Sequence, residues 1–219
     1  MISCPSVEKR VIRNHYNVST LFYRVLWGQH IHHGLWSGDE SPKVAARQLT
    51  ERVIREAGVR DGDQVVDIGC GMGGSSIHLA RHHNCQVTGV TLSPFQQRWA
   101  TTSSWLNGTK KKTRFICEDA EKVEFSPASF DVAWSIECTE HLFDKPAFFR
   151  RMSEWIRPGG RVAICAWLAG DEPLDEVGRQ RVYDVCEGFF CPSLGTMTDY
   201  EGWLTDAGLK VQKTIDWTD

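Results

Sequence analysis

Nothing in these 219 residues approaches the ~20 consecutive apolar residues that a membrane-spanning helix needs. The opening Met1-Ile2-Ser3-Cys4-Pro5 lacks the charged and apolar regions of a secretory leader. A basic face is missing as well. Net charge is −3, and Lys110-Lys111-Lys112 is the one basic run, which reads as a solvated loop before a strand rather than a nucleic-acid surface. The eight cysteines include no C-x-x-C pair, and several (Cys117, Cys165) fall inside apolar strands, so they read as reduced intracellular thiols. No internal repeat or low-complexity linker is found. These absences leave a cytoplasmic α/β domain with appended segments, without stable membrane insertion and without a nucleic-acid partner.

What is present is concentrated in residues 65–76, VVDIGCGMGGSS. The apolar Val65, Val66 and Ile68 carry an acid, Asp67, and break into Gly69, Gly71, Gly73 and Gly74 before a helical pattern through Ile77, Leu79 and Ala80. A strand, a glycine turn and a helix N-terminus set bare backbone N–H groups against an anionic ligand group. Gly69, Gly71 and Gly74 fit the dinucleotide pattern G-x-G-x-x-G, which asks for an acid about 20 residues on to hold a ribose. The second strand ends instead in Thr91-Leu92-Ser93. Some 60 residues also precede the turn.

The remaining elements alternate. Ser41 and Pro42 open a helix whose Ala45, Leu49, Val53 and Ala57 share a face and which Gly58 stops. Strands are expected at 64–68, about 85–90, 113–117, 130–135 and 161–167, with a sixth at 209–217. Helices are expected at about 74–83, 94–106, 145–156 and 198–208, and two short ones at 7–16 and 20–27. This order predicts a doubly wound, mostly parallel sheet.

D-x-G-x-G-x-G at 67, 69, 71 and 73 resembles motif I of the class I S-adenosylmethionine-dependent methyltransferases, which have a Rossmann-like fold. The resemblance extends along almost the whole chain. RPGGRVAI at 157–164 is similar to the turn before that family's fifth strand. VTLSPFQ at 90–96 resembles the second-strand motif of a small-molecule branch that holds gamma-tocopherol methyltransferases and cyclopropane fatty acid synthases. The resemblance implies S-adenosyl-L-methionine as cofactor and S-adenosyl-L-homocysteine as product. It implies a cofactor site of Tyr16, Asp67, Gly69, Cys70, Gly71, Thr91, Leu92, Gln96, Asp119 and Ala120. There Asp67 orients the amino end of the cofactor, Gln96 reaches the ribose, and Asp119 of CEDA (117–120) accepts from the adenine amine. HYN at 15–17 and LFYRVLWGQHIHHGLW at 21–36 resemble a lid segment, which makes Tyr16, Trp27 and Trp36 candidates to face the sulfonium. The expected division is a helical lid segment at 1–40 and a cofactor-binding domain at 41–219, with a substrate lid at about 169–194.

SFDVAWSIECTEH at 129–141 puts Glu137, Glu140 and His141 at the carboxyl end of the fourth strand, where open α/β sheets bind ligands. The resemblance implies a Glu-His pair near the transferred methyl, so His141, Glu140 and Glu137 are the catalytic candidates. Helix capping by Glu140 and His141 is the competing reading. His30, His32 and His33 find no Cys or carboxylate partner at familiar ligand spacing, so no metal is expected, and His33 is kept as a substrate-pocket candidate. The substrate expectation is a small apolar metabolite, methylated at carbon or phenolic oxygen. A cofactor-binding protein without catalysis, or an NAD-dependent oxidoreductase, stays open as an alternative. Relatives in this branch continue past the position of Asp219, so a missing seventh strand is expected, and a homodimer is among the states that would cover the edge.

Overall fold

In a computed structural model, the described residues are 1–4, 7–12, 30–170 and 173–218. Tyr16, Trp27 and most of the two expected amino-terminal helices lie outside them, although residues 9–12 are helical. In chain order the elements are β1 (Ile2–Ser3), α1 (Pro42–Glu56), β2 (Gln64–Ile68), α2 (Gly74–His82), β3 (Gln86–Thr91), α3 (Pro94–Leu106) and β4 (Thr113–Cys117). There follow β5 (Phe130–Ile136), a 3-10 turn at Thr139–His141, α4 (Lys145–Trp155), β6 (Ile156–Cys165), α5 (Glu176–Phe189), β7 (Ser193–Leu194) and α6 (Met197–Asp206).

Five strands form one sheet in the order β4-β3-β2-β5-β6, with every pairing parallel. The central strands β2 and β5 are buried on two faces, so their apolar residues feed two cores. Val66 and Ile68 pack with Phe148, Phe149, Trp155 and Tyr200 on one side. Val65 packs with Leu49, Val53, Leu79 and Val132 on the other. Helix starts follow local chemistry. Ser93, Asp144, Asp175 and Thr196 each accept a hydrogen bond from a backbone N–H of their helix's first turn, a contact worth about 1 kcal/mol. Ser41 sits at the expected N-cap of α1 but makes no side-chain cap bond; the fixed φ of Pro42 starts that helix.

Two expectations are corrected. The strand expected at 161–167 begins at Ile156, where α4 ends, and stops at Cys165. It stops because the Trp167 N–H, free to continue a ladder, donates instead to Glu140 Oε1 at 2.6 Å. The strand expected at 209–217 does not form. Leu209, Val211, Ile215 and Trp217 do alternate as half-buried residues, but side chains hold this segment, through Lys213–Glu56 at 2.6 Å and Arg52 over the Trp217 ring at 5.6 Å. A short pair was not foreseen. β1 runs antiparallel to β7, with Ile2 opposite Leu194, and Cys4, Val7 and Ile12 share a small core with Ala169, Cys186, Cys191 and Leu194. The amino-terminal and 169–194 segments, expected as separate lids, thus pack together.

Candidate functional site

The order of strands reverses between β2 and β5, and ligands of open α/β sheets bind outside the carboxyl ends of strands at such a point. A cleft opens there. Asp67, Gly69, Cys70, Gly71, Thr91, Leu92, Gln96, Asp119 and Ala120 all line it, as do Glu137 and His141. Tyr16 lies outside the described residues. Glu140 and His33 do not line it, and Trp36 is half-exposed elsewhere.

The turn itself is built by glycine. Gly69 has φ +77°, and a Cβ there would stand 2.3 Å from Cys138 Cβ, so the turn presses directly on the segment after β5. Gly71, at φ +52°, has only Ile31 and the Gly69 carbonyl near its missing side chain, at 3.8 and 4.0 Å, which leaves the backbone exposed to the cleft.

Asp67 is 2 % exposed, and its one hydrogen-bond partner among the described residues is Ser76, whose Oγ donates to Oδ2 at 2.5 Å. Burial, against the weaker pull of Ser76, pushes its pKa up to about 7. Among the described residues no cation compensates it. Thr91 Oγ1 donates to Gln96 Oε1 at 2.8 Å, which orients the buried amide. Asp119 is already engaged: Lys9 Nζ donates to Oδ2 at 2.6 Å and the Glu121 N–H to Oδ1 at 2.9 Å. A carboxylate keeps further lone pairs for another donor.

The three catalytic candidates separate. Glu137 has φ +48°, an uncommon conformation for a non-glycine residue that aims its side chain at the cleft edge. Its Oε1 accepts from the His33 N–H at 3.0 Å, and its Oε2 meets His33 Nδ1 at 3.1 Å. His141 lines the cleft, and its Nδ1 donates to the Phe190 carbonyl at 3.2 Å. Glu140 points away. It is 2 % exposed, Oε1 takes the Trp167 N–H, and Oε2 has no hydrogen-bond partner among the described residues. Burial raises its pKa to about 8.

Comparison with known proteins decides the family. A family model described as "Methyltransferase domain" matches residues 66–164. The chain is 32% identical over 229 residues to the chloroplastic tocopherol O-methyltransferase of Arabidopsis thaliana, covering 96% of this chain and 66% of that protein. It is 32% identical over 194 residues to 27-O-demethylrifamycin SV methyltransferase of Amycolatopsis mediterranei (strain S699), covering 87% and 70%. The chain belongs to the class I S-adenosylmethionine-dependent methyltransferases. It spans about two thirds of the length of the tocopherol O-methyltransferases it matches. Among solved structures, geranyl diphosphate methyltransferase in complex with GPP and sinefungin superposes at a TM-score of 0.85 with 22% identity, covering 95% of this chain and 83% of that one. The [4+2]-cyclase SpnF superposes at 0.78 with 24% identity, covering 94% and 74%, so the same fold also carries a protein named for other chemistry.

The family's cofactor is S-adenosylmethionine, and the residues present fit it. A buried acid with no cationic partner among the described residues suits an ammonium group, and the open face at Gly71 admits a ligand against bare backbone. Two lysines of this methyltransferase were missed in the sequence. Lys9 reaches the cleft from the amino-terminal segment, pairing with Asp119 at 2.6 Å and Glu121 at 2.5 Å. Nothing local announces that long-range pair. Lys145 is 1 % exposed, and its Nζ donates to the carbonyls of Glu140 (3.3 Å), Leu142 (2.8 Å) and Ser193 (3.0 Å) and to Ser193 Oγ (2.8 Å). It ties the turn carrying His141 to β7. Its pattern position, at the first turn of a helix, reads as surface.

Proposed function

We propose that this chain transfers a methyl group from S-adenosylmethionine to a carbon or phenolic oxygen of a small, largely apolar molecule. The observation that carries this reading is the buried carboxyl of Asp67, bonded among the described residues only by Ser76, beside a backbone-exposed glycine turn in the same cleft as His141. S-adenosylmethionine, when bound, supplies a methyl group activated by its sulfonium. Asp67 binds the amino end, Gln96 the ribose and Asp119 the adenine amine. Gly69, Cys70, Gly71, Thr91, Leu92 and Ala120 shape the walls.

The chain's own contribution to the reaction is to align the acceptor, exclude water and remove a proton. His141 is the residue we assign as proton acceptor, because of the Glu140-His141 pair it is the one that lines the cleft, with its Nδ1 held by the Phe190 carbonyl. Glu137 borders the acceptor and holds the 30–33 segment through His33. Glu140 acts behind His141, fixing the Trp167 backbone, and is a positioning residue rather than a base. Trp167 and Phe189, with ring centroids 4.7 Å apart, contribute the apolar character of the lid side. We also propose that residues 1–40 and about 169–194 close over the domain formed by 41–219, supported by the core they share.

Among the described residues no helix is long and apolar enough to cross a membrane. Eight free cysteines support a reducing compartment, for which we propose the cytoplasm.

Incubation with methyl-labelled S-adenosylmethionine and a metabolite extract of the source cell tests the reading. The expected result is a labelled apolar product that disappears with His141→Ala while S-adenosylhomocysteine binding persists. Cofactor binding with no labelled product from wild type would favour a binding protein without catalysis.

A further inference from the structure

One cluster of ligating side chains lies outside the cleft and has no part in the reaction above. Glu51 projects from α1, His78 from α2, and His83 stands at the carboxyl cap of α2. One ligand atom of each lies within 4.8 Å of the others, and all three residues are half-buried. His78 Nε2 and Glu51 Oε1 are 2.6 Å apart. His82, one helical turn after His78, places its ring centroid 4.6 Å from that of His78.

We propose that Glu51, His78 and His83 bind a divalent transition-metal ion of the zinc class, with His82 or water completing the shell. Two imidazoles and one carboxylate are a zinc donor set with an open position. Mixed nitrogen and oxygen donors of this kind select zinc, cobalt or nickel over magnesium and calcium, which ask for all-oxygen shells. This set differs from His30, His32 and His33, for which no carboxylate stood at ligand spacing in the sequence. The missing acid is supplied across space by the neighbouring helix.

The setting favours a cation here. The site lies at the carbonyl end of α2, where the last backbone carbonyls carry partial negative charge. The ionisable groups around His78 are Glu51, His82 and His83, with the His30 ring centroid 6.4 Å away. The nearest thiol, Cys85, is turned to the carbonyls of Arg60 and His83. Zinc ligands at about 2.0–2.2 Å stand more than 3 Å apart around a tetrahedral ion, so a bound ion replaces the Glu51–His78 hydrogen bond and widens that gap. The ion would clamp α1 to α2, the helix that begins on the glycine turn.

The full chain, stripped by chelator, is titrated calorimetrically with Zn²⁺ and separately with Mg²⁺, and its melting temperature is followed. We expect one saturable zinc site, no magnesium site, and a rise in melting temperature on zinc addition. His78→Gln with His83→Gln should weaken zinc binding by about 100-fold and abolish the rise, with S-adenosylhomocysteine binding retained. If that double variant does not fold, Glu51→Gln carries the test, with at least a roughly tenfold loss expected. Cobalt in place of zinc should show ligand-field absorption without a thiolate charge-transfer band. Unaltered zinc affinity in the variants, a thiolate band on cobalt, or no saturable site in wild type would each overturn the proposal.

Discussion

The two walls of the cleft are built on opposite principles. The sheet wall consists of tight local units, in which a strand end, a glycine turn and a capped helix fix Asp67, Gly71 and Gln96 within 30 residues of one another. The facing wall brings together residues 1–4 and 7–12, the turn at 139–142 and residues 167–170 and 173–194, through contacts such as β1 with β7 and Lys145 with Ser193. One wall recognises what the whole family shares. The other is where members of one fold come to differ in what they act on.

Substitutions that strike one wall alone sharpen this comparison. The largest effect is expected from Asp67→Asn. Loss of a charge-assisted contact of about 2–3 kcal/mol should weaken S-adenosylhomocysteine binding by roughly 100-fold in calorimetry. The same variant should melt higher than wild type at pH 8 without ligand. The folded-state pKa of Asp67 is raised above its unfolded value, so its ionisation opposes folding increasingly as pH rises from about 4 to 7. A variant that loses both affinity and stability would show that Asp67 holds the fold rather than the ligand.

Next comes His141→Ala against Glu140→Gln. The first should lower kcat by about 100-fold or more with cofactor affinity retained, and the second by less than about tenfold. Equal losses in single-turnover assays would return the base to Glu140. Lys145→Met then tests the link between the walls. It leaves the carbonyls of Leu142 and Ser193 unpaired and should destabilise by about 2–3 kcal/mol in urea titration, with the acceptor KM raised more than the cofactor Kd. A rise in both by the same factor would mean that the walls are not separable.

Smaller still is Thr196→Ala, which breaks the capping box of α6 and should cost about 1 kcal/mol with kcat unchanged. The least effect is expected at His33. Its pKa is raised by the Glu137 carboxylate, so the pair stabilises the fold below the unfolded histidine value and loses that contribution as pH rises through the folded one. His33→Gln should flatten this part of the melting-temperature profile.

The same contrast governs what could be read from the residues alone. Strand, turn and helix at 64–82 carry their signals side by side, so the parallel sheet follows from short patterns, and nine of the expected cofactor positions line one cleft. The ladder at 209–217 did not follow, because alternation records burial, not which backbone is at hand to pair. Nor did the division between Glu140 and His141. Adjacent side chains point to different places, and only the fold puts the Trp167 N–H over one and the cleft before the other. Lys9, Lys145 and the Glu51–His78 contact all span elements distant in sequence, where local pattern carries no signal.

The choice of cofactor is where the account is most exposed. Equilibrium titration of the purified chain with S-adenosylhomocysteine and with NAD tests it most directly. The account predicts one saturable S-adenosylhomocysteine site, weakened by Asp67→Asn, and no NAD binding. Saturable NAD binding, or S-adenosylhomocysteine binding indifferent to Asp67→Asn, would contradict it.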